Sequence, residues 1–136
     1  MSEIRAQYHF RPSKDGLLAW DVRRLIKLSK NFSPTDIPIN KIAELQEAYW
    51  FDQTDSVTTE QIIDHMKLTH AADLSYPIIL CHEGRLMDGM HRVCKAVLEG
   101  RKTILAVKFP NAINPDYTGV EPDLSLIHIS EPTRPY

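Results

Sequence analysis

Residues 77–81, Pro77-Ile78-Ile79-Leu80-Cys81, form a run without a charged or amide side chain, flanked by polar segments. A strand with one wet face alternates apolar and polar residues, whereas a strand buried on both faces is free not to. The run is also far below the ~20 apolar residues that a membrane-spanning helix needs. It therefore reads as the central strand of a sheet covered on both sides. The next segment is equally constrained. Glu83-Gly84 suits a tight hairpin turn in which the glycine takes a positive φ, and residues 85–87 return as the partner strand. Asp88-Gly89-Met90-His91-Arg92 then leads into a helix whose Met90, Val93, Cys94 and Val97 fall on one face. Gly100 fits the left-handed position just past that helix, and residues 104–109 make a strand stopped by Pro110.

The remaining chain is patterned around this unit. Residues 8–11 read as a short strand closed by a turn cluster of Pro12, Ser13 and Asp15-Gly16. Leu18, Val22, Leu25 and Ile26 have the spacing of an amphipathic helix. Ile37-Pro38-Ile39 is a brief strand in which proline forces an edge or strand-start position. Asn40 is placed to cap a helix carrying Ile42, Leu45 and Tyr49. Thr58 and Gln61 have the form of a capping box, opening a helix over 59–72 that is expected to turn Ile62, Ile63 and Met66 inward. Beyond Asn111 the chain is rich in Pro, Asn, Asp and Gly and is expected to be irregular. Strands interleaved with helices and a hairpin give an α+β fold, a small mixed sheet with flanking helices.

Composition excludes several classes. At 136 residues the chain supports one domain, burying roughly two-thirds of its unfolded surface without disulfides or a structural metal. Sixteen basic residues against 18 acidic give a net charge of −2, so there is no general attraction to nucleic acid or to an anionic membrane. Cys81 and Cys94 lack the spacing of a ligand pair, which suits a reducing compartment, and no apolar leader precedes the first strand. Together these lead us to expect a cytoplasmic protein. The last thirteen residues, 124–136, resemble an in-frame translation of transposase-end and adapter sequence from DNA library construction, a peptide that ends many proteins inferred from metagenomic assemblies. We expect them to be an artefactual tail. They carry one acidic and one basic residue, so the net charge of residues 1–123 is still −2.

The chemistry concentrates at residues 88–92. A strand running into a helix presents unpaired backbone N–H groups at the positive end of the helix dipole. Gly89 lets a ligand approach the backbone. His91 and Arg92 sit in the first turn, where positive charge opposes the dipole unless an oxyanion binds, and Arg can grip two oxygens at once. Asp88 can cap the helix, orient His91 or Arg92, or hold a metal ion on a phosphate. Residues 88–92 thus read as an anion site.

Residues 77–109, with Pro-Ile-Ile-Leu, then Asp-Gly-Met-His-Arg, then an apolar-faced helix, Gly100 and Ile-Leu-Ala-Val-Lys-Phe, resemble the core of the ParB/sulfiredoxin superfamily. Ile-Pro-Ile-Asn-Lys-Ile at 37–42 is similar to that superfamily's first strand and turn, and the resemblance covers about residues 36–109. It makes 1–35 an N-terminal strand-helix extension packed on a domain at 36–123. It implies that Asp88, Gly89, Met90, His91 and Arg92 bind the phosphates of a nucleotide such as ATP, ADP or CTP, with Mg²⁺. Sulfiredoxin-like chemistry is not expected, because Met90 stands where a nucleophilic cysteine is needed and a thioether forms no thiolate. Two activities stay open. One is hydrolysis of a nucleotide or transfer of its phosphoryl group to a small-molecule acceptor, with His91 on the phosphates and Glu47 or Glu44 as base. The other is a non-catalytic, nucleotide-sensing or nucleic-acid-associated module of the ParB partition type; a nucleic-acid partner is not favoured on residues 1–123, where too little chain follows the core for a helix-turn-helix, and stays open if the reading frame was truncated near Asp123 and a downstream domain cut away.

Other groups carry weaker signals. His65 and His70 do not share a helix face as zinc-binding pairs do, and no metal ligands are assigned. Tyr49-Trp50-Phe51 is read as packing, with base stacking as the alternative. Arg23, Arg24, Lys27 and Lys30 form a solvated basic stripe. Trp20 is either part of a lid or additional core.

Overall fold

The computed structural model describes residues 8–14, 16–50 and 56–120. Asp15, Phe51, the start of the polar break at 53–56 and the 124–136 tail lie outside the described residues. The chain is a small α+β fold built on two sheets. The larger has four strands in the order β3 (Thr35–Pro38), β6 (Thr103–Lys108), β4 (Ile78–Leu80), β5 (Leu86–Asp88), with β4 parallel to β6 and the other pairs antiparallel. As expected, β4 is interior and Pro38 lies on an edge strand, where its missing N–H costs no ladder bond.

Side-chain alternation in β4 explains why its sequence is continuously apolar. Ile78 and Leu80 enter a core with Ile42, Leu86, Met90, Val93, Ala96 and Ile104. Ile79 and Cys81 enter a second core on the opposite face, with Trp20, Leu25, Met87 and Phe109. The first core is roofed by helix α3 (Met90–Leu98), which connects β5 to β6. The second is roofed by helix α1 (Val22–Ser29). The turn after β4 forms as read: Gly84 has φ +82°, and its N–H bonds to the Cys81 carbonyl at 2.9 Å.

Five expectations are corrected. Leu18 belongs not to a helix but to strand β2 (Gly16–Asp21), which pairs with β1 (Tyr8–Ser13). The helix waits for Asp21, whose side chain accepts from the Arg23 N–H at 2.9 Å. The segment after Asn111 is not wholly irregular, since β7 (Tyr117–Val120) adds to β2 as the third strand of the smaller sheet. The helix expected after Asn40 is replaced by two 3-10 turns, Ile39–Lys41 and Ala43–Gln46, separated by extended Ile42, whose side chain is buried.

The fourth correction concerns helix α2 (Thr59–Ala71). Its capping box forms as read, with the Thr58 hydroxyl accepting from Gln61 N–H and the Gln61 amide oxygen accepting from Thr58 N–H. Its expected inward residues, however, face solvent. The helix is attached instead through His65, Thr69 and the Ala72 that follows it. Lys95 of α3 donates to the carbonyls of His70 and Ala72. In α3, Val97 is likewise exposed, and Ala96 takes the inward position expected for it.

Candidate functional site at the β5–α3 junction

Strand β5 hands the chain to α3 through Gly89, which sits at φ +113° as the residue preceding the helix. A Cβ there would lie 2.7 Å from both Arg92 Nη2 and Ile78 Cγ2. The backbone angle and the crowding thus both demand glycine. Gly89 holds the N-cap position and has no side chain to offer there. The Asp88 carboxylate accepts from Arg92 Nη2 at 2.7 Å, a pair buried on both sides. Of the three roles open to Asp88, the structure thus shows it orienting Arg92. The Arg92 side chain is 0% exposed, so the expected two-oxygen grip on a ligand is not offered at the surface in this conformation.

His91 has a different environment. Its Nε2 lies 2.9 Å from Nδ1 of His65, and Trp50 stacks on both rings at centroid distances of 4.5 Å and 4.0 Å. Burial, then the neighbouring His65 and Arg92, push the His91 pKa down to about 4; burial lowers that of His65 as well. Two neutral rings share one proton comfortably, whereas two cations at this distance would repel. Trp50 therefore packs against imidazoles, as the packing reading expects. The pairing of His65 with His91 was invisible to helix spacing, because its partner lies on another helix.

Glu44 and Glu47 are brought together by one arginine. Arg85 Nε lies 3.1 Å from Glu44 Oε2, and its two terminal nitrogens donate to Glu47 at 2.9 and 2.8 Å. Glu44 is buried, its Oε2 also accepting from Leu86 N–H at 2.8 Å, which satisfies a donor on the outer edge of β5. Its Oε1 has no hydrogen-bond partner among the described residues. Glu47 is exposed, and the Arg85 hydrogen bonds hold its pKa below the usual carboxylate value.

Sequence reasoning missed the contribution of β1. Arg11 Nε donates to His9 Nε2 at 2.9 Å, and its Nη1 lies 3.5 Å from Cys81 Sγ. Its Nη2 is buried with no hydrogen-bond partner among the described residues. Burial, with Arg11 and Arg85 adding positive charge and Asp88 opposing, depresses the His9 pKa to about 3. The hairpin therefore stands within electrostatic reach of the junction. Burial works against ionising Cys81, but the Arg11 hydrogen bond and the backbone N–H groups of Glu83 and Arg85 prevail and lower its pKa. Cys81, His82 and Glu83 also bring thiol, imidazole and carboxylate donors within 4.8 Å of one another. The Arg11 guanidinium against the sulfur opposes a cation there.

The remaining candidates have structural partners. Trp20 is core, its indole N–H donating to the Ile113 carbonyl at 2.8 Å. In the basic stripe of α1, Arg23 pairs with Asp21 and Arg24 with Asp116. Among the described residues, no helix is long and apolar enough to cross a membrane. Set against protein-family models, curated proteins and solved structures, the chain matches none. A functional reading must therefore come from the site.

Proposed function

We propose that this protein is a nucleotide-phosphate-binding domain whose phosphate seat is residues 88–92. The observation that carries this reading is the turn from β5 into α3 through Gly89 at φ +113°, which places the positive end of the α3 dipole at residues 90–92. The first turn of a helix presents backbone N–H donors at that end. A phosphate supplies oxygens for such donors and is favoured by the dipole. In this reading the first-turn N–H groups of Met90, His91 and Arg92 hold the phosphate, and Arg11 adds its spare Nη2 donor. Asp88 keeps Arg92 in place beneath Gly89, and neutral His91, paired with His65, lines the seat. Mg²⁺ would accompany the nucleotide, supplying charge neutralisation on the phosphates. The order of motifs resembling the ParB/sulfiredoxin core points the same way, and a nucleotide ligand goes with a cytoplasmic protein.

A second reading, phosphoryl transfer or nucleotide hydrolysis, draws on Glu44. Of the two carboxylates it has an oxygen without a hydrogen-bond partner among the described residues, whereas Glu47 is held in a two-bond pair and its lowered pKa makes it a poorer base. Without turnover, the same seat serves a nucleotide-sensing module.

The test is calorimetric titration of the full chain with ATP, ADP and CTP in the presence of Mg²⁺, beside Arg11→Gln, with circular dichroism checking that the variant is folded. Binding of at least one nucleotide is expected, with Arg11→Gln about tenfold weaker, the equivalent of about 1.4 kcal/mol. If no nucleotide binds the parent, the reading is wrong. Phosphate release or transfer that is lost in Glu44→Gln supports the enzyme; binding with neither supports the sensor.

A further inference from the structure

Helix α2 carries an apolar stripe that the fold leaves uncovered. Ile62, Ile63 and Met66 are 49%, 44% and 53% exposed, and Val57 just before the helix is 45% exposed. Isolated surface apolar residues need no explanation, but a contiguous stripe marks a contact surface. At about 100° per residue, Ile62, Ile63 and Met66 span an arc of roughly 100°. Thr59 and His70 extend the same arc toward the two ends. The helix is tethered along a neighbouring arc by His65, Thr69 and Ala72, so the stripe is not the surface that faces α3.

The charges beside the stripe select its occupant. On the flank away from α3 lie Glu60 and Lys67, seven residues and almost two turns apart. The flank is acidic toward the N-terminus and basic toward the C-terminus, a pattern complementary to its own reversal. We infer that the stripe receives α2 of a second copy of this chain, antiparallel about a twofold axis passing near residues 63–66. In that register Ile63 of each copy meets Met66 of the other, Thr59 meets His70, and Glu60 falls two residues, about 3 Å, from the level of Lys67 of the other, within reach of its long side chain. Parallel pairing about a twofold axis along the helices would set this flank against the opposite flank of the partner helix, and Glu60 would not meet Lys67. An anionic membrane is a worse fit, because Glu60 and Asp64 sit where such a surface calls for basic residues.

The size of the stripe sets the strength. Thirteen residues of helix are about 20 Å long, and one such face falls short of the ~800 Å² per partner of a standard stable interface. The dimer is therefore reversible, with a dissociation constant on the order of 10–100 µM.

Sedimentation velocity of the full chain from about 5 to about 500 µM tests this. The expected result is a weight-average mass rising from monomer toward dimer. Ile63→Asp should abolish the rise while far-UV circular dichroism is unchanged, since the side chain is exposed. Lys67→Glu should weaken association about tenfold, because each twofold contact then sets like charges together. The double variant Glu60→Lys with Lys67→Glu should recover the parental dissociation constant. A parent that stays monomeric at the highest concentration overturns the inference, as does association that Ile63→Asp leaves intact. Equal weakening by the single and the double charge variants overturns the antiparallel register. Co-flotation of a monomeric parent with anionic vesicles assigns the stripe to a membrane and overturns the dimer.

Discussion

Helices α2 and α3 lie side by side, begin with clear sequence signals and carry apolar residues at helical spacing, yet they meet opposite fates. In α3 the Met90, Val93 and Ala96 positions are buried on the sheet, and even Arg92 is enclosed. In α2 the apolar positions face water, and a histidine, a threonine and backbone carbonyls make the attachment. Periodicity reports which residues share a face. Whether anything covers that face is decided elsewhere, by strands that can lie far away in sequence.

The contrast between the two helices breaks first, and most severely, at Asp88. Replacing it by alanine leaves the buried Arg92 guanidinium without its carboxylate, which is expected to cost about 3–5 kcal/mol. Urea unfolding of Asp88→Ala measures this; a loss below about 1 kcal/mol would show that the pair does not anchor α3.

Acid is the next lever, and at His91 it acts where the two helices meet. His91 and His9 have folded pKa values pushed down to about 4 and about 3. Between those values and the unfolded value near 6.5 the unfolded chain binds more protons, so stability is full above about pH 6.5 and falls as the pH drops. The expected loss at His91 between pH 7 and pH 4 is on the order of 2–3 kcal/mol. Denaturant melts of the parent and of His91→Asn across that range check it, the variant having the shallower dependence.

The smallest effects belong to α2. Thr58→Ala removes one half of the capping box and should cost about 1 kcal/mol, whereas Ile62→Ser on the open stripe should stay within about 0.5 kcal/mol at monomer concentrations. Thermal melts of both variants at low protein concentration give the contrast; a larger loss for Ile62→Ser would mean that the stripe is covered within the monomer.

Much of the frame was legible because its signals are local. The Thr58 and Gln61 box, the turn at Gly84, the edge position of Pro38 and the strand-to-helix junction at Gly89 each follow from the conformational demands of a few neighbouring residues. What escaped is non-local. Leu18 fitted a helical period by coincidence, and its place in β2 is fixed by β1 and by β7, the latter about a hundred residues away. The helix expected after Asn40 gave way to 3-10 turns in which Ile39 and Ile42 enter the core and Glu44 reaches the edge of β5. At the junction, Asp88, Gly89, His91 and Arg92 were singled out together, but the His91 partners Trp50 and His65 lie outside α3, and no spacing rule connects them to it.

The pairing of β2 with β7 bears on how the molecule is made. Leu17 is registered with Val120, so the β1–β2 hairpin lacks its third strand until roughly a hundred residues have followed it from the ribosome, an interval of about 5–20 s at ordinary elongation rates. A chain interrupted before residue 117 would retain every strand of the four-stranded sheet yet expose the edge of β2. Quality control acting on a nascent chain would meet that unpaired edge as the mark of unfinished synthesis.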